Sequence, residues 1–417
     1  MKVLRAGFFD SSSPSSAFSL YPSSFPRVPL AVPYWTGETY RAILRSLLTA
    51  AIVDGPDLQR LVSLVGETVG VENIFLCGSG SLALEIALRA CGVGRGDKVV
   101  IPTFCCTAVV PPILAVGAVP VLADVGAELN ITAETADAAL TKKTKAIIVP
   151  HLFGNPADIE GIIDLAHGKN IRVIDDAAQA LGATIDGRPA GSVGYAGIFS
   201  FGSEKVCSGL GGGAVVSRSR NVLHCGSSLD LPPPDVAPTL GEFISTLLFR
   251  RWRRWTYPWL RAKTAPDEPP VSYRKEAMAN LSAAVAASLV RSLQENLVAR
   301  RARVDAYREL LGSDGRLELI PHRRGSACLT QIVRVLPKRR AEDSASQIIQ
   351  ALGSAGYEIQ GSYVPIHLLS HYHQLVGGPL PRAEQVWSDL IELPCEPSVS
   401  FAQVDRITAI IKRVLNS

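Results

Sequence analysis

The stretch Ile198–Ser217, IFSFGSEKVCSGLGGGAVVS, decides how this sequence is read. A strand-like apolar run ends near Phe201, a single lysine follows at Lys205, and a glycine cluster (Gly209, Gly211 to Gly213) precedes a second apolar run. A surface lysine needs neither neighbour. A lysine whose amine bonds covalently to a carbonyl cofactor needs both. The strand end places it, and a backbone without Cβ atoms can pass close to the bound group.

Working upstream, VIDDAAQALGA (Val173–Ala183) puts Asp175 and Asp176 at the end of a β-branched run. Ligands of parallel sheets bind at such ends. A carboxylate there can pair with a protonated heteroaromatic nitrogen and keep it cationic. A helix N-cap or a buried salt bridge would give the same pattern. Further upstream, CGSGSLALEIAL (Cys77–Leu88) reads as a strand, a turn of small residues and a helix starting near Ser81. Free amides at a helix N-terminus with hydroxyls beside them form a phosphate site, here Ser79, Gly80 and Ser81. A tight turn with a serine N-cap would look alike. The order is more specific than any part: phosphate turn, strand-end acid, then lysine before glycines.

The surroundings are an α/β pattern. Strands are expected at Asn73–Cys77, Lys98–Pro102, Val119–Val125, Thr144–His151, Ile171–Asp176, Gly197–Phe201 and Gly213–Ser217. Continuous runs such as KAIIVPH suit parallel strands covered on both faces, and the stretches between them have helical spacing. The reading divides the chain into a Ser/Pro-rich arm (1–33), a large α/β domain (34–227), a basic aromatic insertion (228–272) and a smaller α+β domain (273–417). In the last, one long helix is expected over 276–311, strands near 329–336 and 357–364, and helices near 342–355 and 402–415.

With 417 residues, 47% apolar and 19% charged, the chain can build a substantial core. A formal net charge of +4 does not by itself point to nucleic acid, and none is expected as a partner. The eight cysteines show neither CxxC pairs nor zinc spacing, so no metal is expected. Reduced thiols and a cytoplasmic location are the plain reading. Residues 99–123 carry no charge, but Pro102, Pro111, Pro112 and Pro120 interrupt them. They are read as strand, helix and strand rather than a membrane span.

The sequence resembles the DegT/DnrJ/EryC1/StrS (sugar) aminotransferase family from about residue 30 to the C-terminus. The resemblance rests on GSGSLAL, GDKVVIPTF, GAVPVLADV, TKAIIVPHLFGNPADI, VIDDAAQALGA, GSVGYAGIFSFGSEK and GGGAVVS, and later on MANLSAAVAASL and YVPIHL. It implies a fold type I enzyme dependent on pyridoxal 5'-phosphate, with a mostly parallel seven-stranded sheet and a smaller C-terminal domain, normally a homodimer. It implies that Lys205 is the Schiff-base lysine and proton carrier, that Asp176 pairs with the pyridinium nitrogen, and that Gln179 sits beside the ring hydroxyl. Gly80, Ser81 and Ser200 would hold the phosphate. Dehydratases of the family replace the lysine with histidine, so its retention favours transamination. The expected reaction moves an amino group from L-glutamate to a nucleotide-linked keto sugar, for polysaccharide, glycolipid or antibiotic synthesis. The alternatives are another pyridoxal phosphate reaction, such as a dehydratase or lyase, and a catalytically idle regulatory module.

Two positions depart from the family pattern. Where an aromatic usually stacks on the ring, PTFCCTA places Cys106; Phe104 is the candidate replacement, or a thiol covers that face. Where an asparagine usually reaches the neighbouring subunit's phosphate, SYRKEAMANL places Lys275. The insertion is a third feature. On a helical wheel Ile244, Leu248, Trp252, Trp255 and Trp259 form one stripe, and Arg250, Arg251, Arg253, Arg254 and Arg261 take the other faces. A helix over 242–263 of this kind can lie on an anionic membrane surface, pack on its own fold, or meet a nucleotide diphosphate.

Overall fold

The computed structural model describes residues 34–241, 243–244, 272–336, 344–375 and 378–417. The arm at 1–33 and, apart from Phe243 and Ile244, the basic aromatic stretch of 242–263 lie outside the described residues.

The strands up to residue 217 are β1 (Asn73–Cys77), β2 (Lys98–Pro102), β3 (Val119–Ala123), β4 (Thr144–Pro150), β5 (Arg172–Asp176), β6 (Thr184–Ile185), β7 (Arg188–Pro189), β8 (Ala196–Ser200) and β9 (Gly213–Ser217). Seven of these form one sheet in the order β1-β9-β8-β5-β4-β2-β3, and β6 and β7 make a separate hairpin. Only β9 runs against the rest of that sheet, pairing antiparallel with both β1 and β8. Successive side chains of a strand point to opposite faces. Val100, Val121, Ile147 and Val173 accordingly enter one apolar cluster, and Val99, Leu122, Ile148 and Ile174 enter another. Both faces are covered, which is why these strands read as unbroken apolar runs. Helices Gly37–Leu48, Pro56–Val69, Ile159–Ala166 and Asn280–Arg291 cover the first face, and Gly80–Ala90 and Val110–Ala115 the second.

The uncharged stretch 99–123 is β2, a 3-10 turn, a six-residue helix and β3. Among the described residues no helix is long and apolar enough to cross a membrane.

The second sheet joins β10 (Leu317–Leu319), β11 (Thr330–Val335), β12 (Gln360–Gly361) and β13 (Leu390–Pro394), in the antiparallel order β10-β11-β13-β12. Helices Leu293–Leu311, Ser344–Ser354 and Phe401–Asn416 cover it around Tyr307, Ile348, Ile391 and Ile407. Residues Met278 to Leu297 pack with the large sheet. The helix expected over 276–311 is two helices. Ser292 leaves helical geometry (φ −92, ψ 14) and its hydroxyl turns back to the carbonyls of Ser288 and Leu289, a local bond that competes with the ladder. The strand expected at 357–364 shrinks to Gln360–Gly361. The strand Leu390–Pro394 was not expected, because Glu392 interrupts its apolar pattern although the whole strand is buried.

Candidate active site

A cavity of about 300 Å3 opens at the carboxyl ends of β4, β5 and β8. Loops there are positioned by rigid strands, and the strand order makes them neighbours: Asp176 of β5 pairs in register with Ile198 of β8. Lys205, Asp176, Gln179, Gly80, Ser81 and Ser200 all line this cavity. Residues from three distant parts of the chain thus meet where the sequence motifs required.

Ser79 caps helix Gly80–Ala90, its Oγ accepting from the Leu82 amide at 3.1 Å. The amides of Gly80 and Ser81, first in the helix, have no earlier turn to bond to. The Ser81 hydroxyl donates to the Ala108 carbonyl at 3.2 Å. Gly80 is required by contact: a Cβ there would stand 2.8 Å from the Ser200 Cβ. Behind this turn Gly213 packs against Ser79 so closely that a Cβ would lie 2.5 Å from its carbonyl oxygen.

Asp176 ends β5 almost fully buried, with one oxygen accepting from the Ala178 amide at 3.1 Å. Burial pushes its carboxyl up to about 6, against the pull of that amide, Lys205 and His151. Its environment thus lacks a sufficient positive partner, the condition a cationic ring nitrogen would relieve. Lys205 sits on the turn after β8, its amide donating to Gly202 O at 3.2 Å. Gln179 is spanned at both ends. Its Oε1 accepts from the Phe153 amide, and its Nε2 donates to the Tyr363 hydroxyl, each at 2.7 Å. This bond ties the cavity wall to the segment beside β12.

One expected residue is not at the cavity. Phe104 is fully buried, edge-on to Tyr363 at 5.9 Å, and Cys105 and Cys106 line the wall in its place. The reason is the anchored turn after β2: the Thr103 amide donates to Ala123 O and its carbonyl accepts from the Ile366 amide, which sends the next side chain into the core. Phe104 is therefore corrected from a ring-stacking residue to a packing residue. Lys275, expected to reach the neighbouring subunit's phosphate, pairs within its own chain with the buried Glu85 at 2.8 Å and lies over the Tyr273 ring, and its neighbour Arg274 lines the cavity.

Sequence reasoning also missed His151, just past β4. Its Nδ1 accepts from the Ala157 amide at 2.9 Å, so Nε2 carries the proton and donates to Asp175 at 2.7 Å. Asp175 in turn accepts from the Val193 amide. Of the two strand-end acids, one is thus consumed inside the protein and the other faces the cavity. KAIIVPH ends in this histidine, which was the available signal.

An amine and a buried carboxylate thus face one cavity at the carboxyl ends of the central strands of a mostly parallel sheet, where α/β enzymes bind their ligands. The DegT/DnrJ/EryC1/StrS aminotransferase family matches residues 35–231 and 260–412, and the chain belongs to this family of aminotransferases. It is 28% identical to a GDP-perosamine synthase of Caulobacter vibrioides over 94% of this chain and 100% of that protein. It is 42% identical to a UDP-N-acetyl-3-dehydro-alpha-D-glucosamine 3-aminotransferase of Acidithiobacillus ferrooxidans over 43% of this chain and 49% of the relative. Its fold matches that of the aminotransferase TlmJ from Streptoalloteichus hindustanus with a TM-score of 0.77 at 24% identity, over 93% of this chain and 99% of that one.

Proposed function

We propose that the cavity holds pyridoxal 5'-phosphate and that the chain moves an amino group from L-glutamate to a keto group on a nucleotide-linked sugar. The observation that carries this reading is the convergence of Lys205, Asp176 and the Gly80–Ser81 turn on one cavity. The names of the two relatives favour a nucleotide-linked sugar as acceptor. Bound there, the cofactor would take up the amino group and carry it between the two substrates.

The protein's own residues have distinct tasks. The Lys205 amine would hold the cofactor's aldehyde carbon and, once released, would take the proton from the amino donor's α-carbon. Asp176 would keep the ring nitrogen protonated. The amides of Gly80 and Ser81, with the Ser200 hydroxyl, would hold the phosphate. Gln179 would sit beside the ring hydroxyl, fixed in place by Phe153 and Tyr363. The apolar walls Leu84, Leu152 and Ile198 limit water at the reacting atoms. A homodimer in the cytoplasm belongs to the same reading, supported by the family resemblance, and the basic aromatic pattern of 242–263 suits packing on its own fold, contact with an anionic membrane surface or contact with a nucleotide diphosphate. The domain division at 227 and 273 is part of it too.

Purified protein should take up the cofactor with a visible absorption band, and L-glutamate should discharge that band with stoichiometric release of 2-oxoglutarate. Lys205→Ala should do neither. Substantial transamination by that variant would sink the assignment. Sedimentation tests the dimer, and flotation with anionic and neutral vesicles tests the membrane contact.

A further inference from the structure

Residues Ser272–Glu276 form a strap across the amino end of helix Gly80–Ala90. The Ser79 hydroxyl donates to Arg274 O at 3.1 Å, and the Gly78 amide donates to Glu276 O at 2.8 Å. A Cβ at Gly78 would strike the strap, 2.7 Å from the Glu276 side chain. On the helix itself Glu85, 1% exposed, gathers the strap's flanking side chains. Its Oε2 accepts from the Tyr273 hydroxyl and from Lys275 Nζ at 2.8 Å, and its Oε1 from Arg89 at 2.6 Å. Burial alone would raise this carboxyl, and the donors outweigh it and hold it below the usual range.

This knot consumes Tyr273 and Lys275 and leaves Arg274 between them free to face the cavity. Among the described lining residues, Arg274 and Lys205 are the two formal cations. Arg274 is only lightly engaged: Nη1 lies 3.3 Å from the Thr239 hydroxyl and 3.7 Å from Glu276. It lies beside the glycine turn, 3.6 Å from where a Cβ of Gly211 would stand, which is ordinary contact distance.

We propose that Arg274 recognises a phosphoryl group at the Ser79–Ser81 end of the cavity, and that Glu85 is the positioning residue that aims it by clamping the strap. The inference rests on the reading above and adds to it. A guanidinium offers planar paired donors that match phosphate oxygens. Two sources share this chemistry: the cofactor's phosphate monoester and the diphosphate of a nucleotide-linked substrate.

The test is binding, measured without turnover. Apo-protein is titrated with pyridoxal 5'-phosphate, and holoenzyme with GDP and UDP, for wild type, Arg274→Ala, Arg274→Lys, Glu85→Gln and the Arg274→Ala/Glu85→Gln double variant. Arg274→Ala should weaken one of the two bindings about tenfold or more, and Arg274→Lys should restore part of it. Loss confined to pyridoxal 5'-phosphate identifies the cofactor as the source; loss confined to GDP or UDP identifies the substrate. Glu85→Gln should weaken the same binding, but add nothing in the Arg274→Ala background, because a positioning residue acts only through its target. Should Glu85→Gln fail to fold, Tyr273→Phe removes one strap contact and should weaken the same binding. Unchanged affinities in Arg274→Ala overturn the assignment while leaving the aminotransferase reading intact. A wild-type protein that binds neither ligand overturns both.

Discussion

At the residue scale the site is decided by which charges are left over after internal pairing. Asp175 is satisfied by His151 and Val193, whereas Asp176 has one amide and a distant cation. Its carboxyl is raised in the folded protein, so its contribution to stability is present below the unfolded value near 4 and lost as pH rises through about 6. Cofactor-free Asp176→Asn should therefore melt higher than wild type at pH 8 and much the same at pH 4. On the proposed function, binding of pyridoxal 5'-phosphate should have the opposite dependence. The wild type should lose affinity for pyridoxal 5'-phosphate as pH falls through about 6, because a protonated Asp176 cannot pair with a ring cation. Titration across this range should show that slope in the wild type and not in Asp176→Asn. These two acids were legible in VIDDAAQALGA as a pair, but their division of labour was not. It depends on a histidine that precedes them in the chain and comes close only when β4 and β5 pair.

At the element scale, caps and turns locate the functional groups. Ser79 and Ser400 both cap helices through their hydroxyls, and Ser400 forms a reciprocal capping box with Gln403. Replacing either serine with alanine should cost about 1 kcal/mol in chemical denaturation. Only Ser79→Ala should also weaken cofactor binding, because of the two serines only Ser79 bonds the strap and starts the turn proposed to hold the phosphate. Equal affinity in the two variants would separate the cap from the site. Elements with an unbroken local signal were readable: β1, β2 and β9 match their expected bounds, and helix Pro56–Val69 is bounded by local signals too, with Pro56 at its start and Gly70 left-handed at its end (φ 70). Elements with a mixed signal were not. β13 contains a buried Glu392 that Ser362 Oγ bonds at 3.1 Å, and the break at Ser292 depends on a side chain bonding backward.

At the scale of the whole molecule, helix Leu293–Leu311 ties the large domain to the second sheet through Arg300. That guanidinium is fully buried and pairs with Glu396 at 2.7 Å, with Asn296 at 2.8 Å and with Leu329 O at 3.0 Å. Burial raises the Glu396 carboxyl, opposed by Arg300 and Arg303. Arg300→Ala would leave that acid buried and unpaired, and should destabilise the protein by about 3–5 kcal/mol. Joint replacement as Arg300→Met with Glu396→Leu should recover most of the loss, measured by denaturant unfolding. Leu329 also donates its amide to Phe153 O, next to the amide that holds Gln179. The ion pair and the cavity wall are thus joined through one short run of backbone.

The sequence by itself determined the α/β class and the strands of the large sheet, and its motifs, with the family resemblance, pointed to Lys205, Asp176, Gln179, Gly80, Ser81 and Ser200, which line one cavity. Each of these sits in a short motif near the end of a strand or the start of a helix. The tertiary structure decided what no local pattern carries. Phe104 went into the core because Thr103 is bonded to Ala123 and Ile366. Lys275 is paired with Glu85, nearly two hundred positions away, while its neighbour Arg274 lines the cavity. Which of several adjacent side chains meets a ligand depends on the partners that claim the others, and those partners are brought together only by the packed fold.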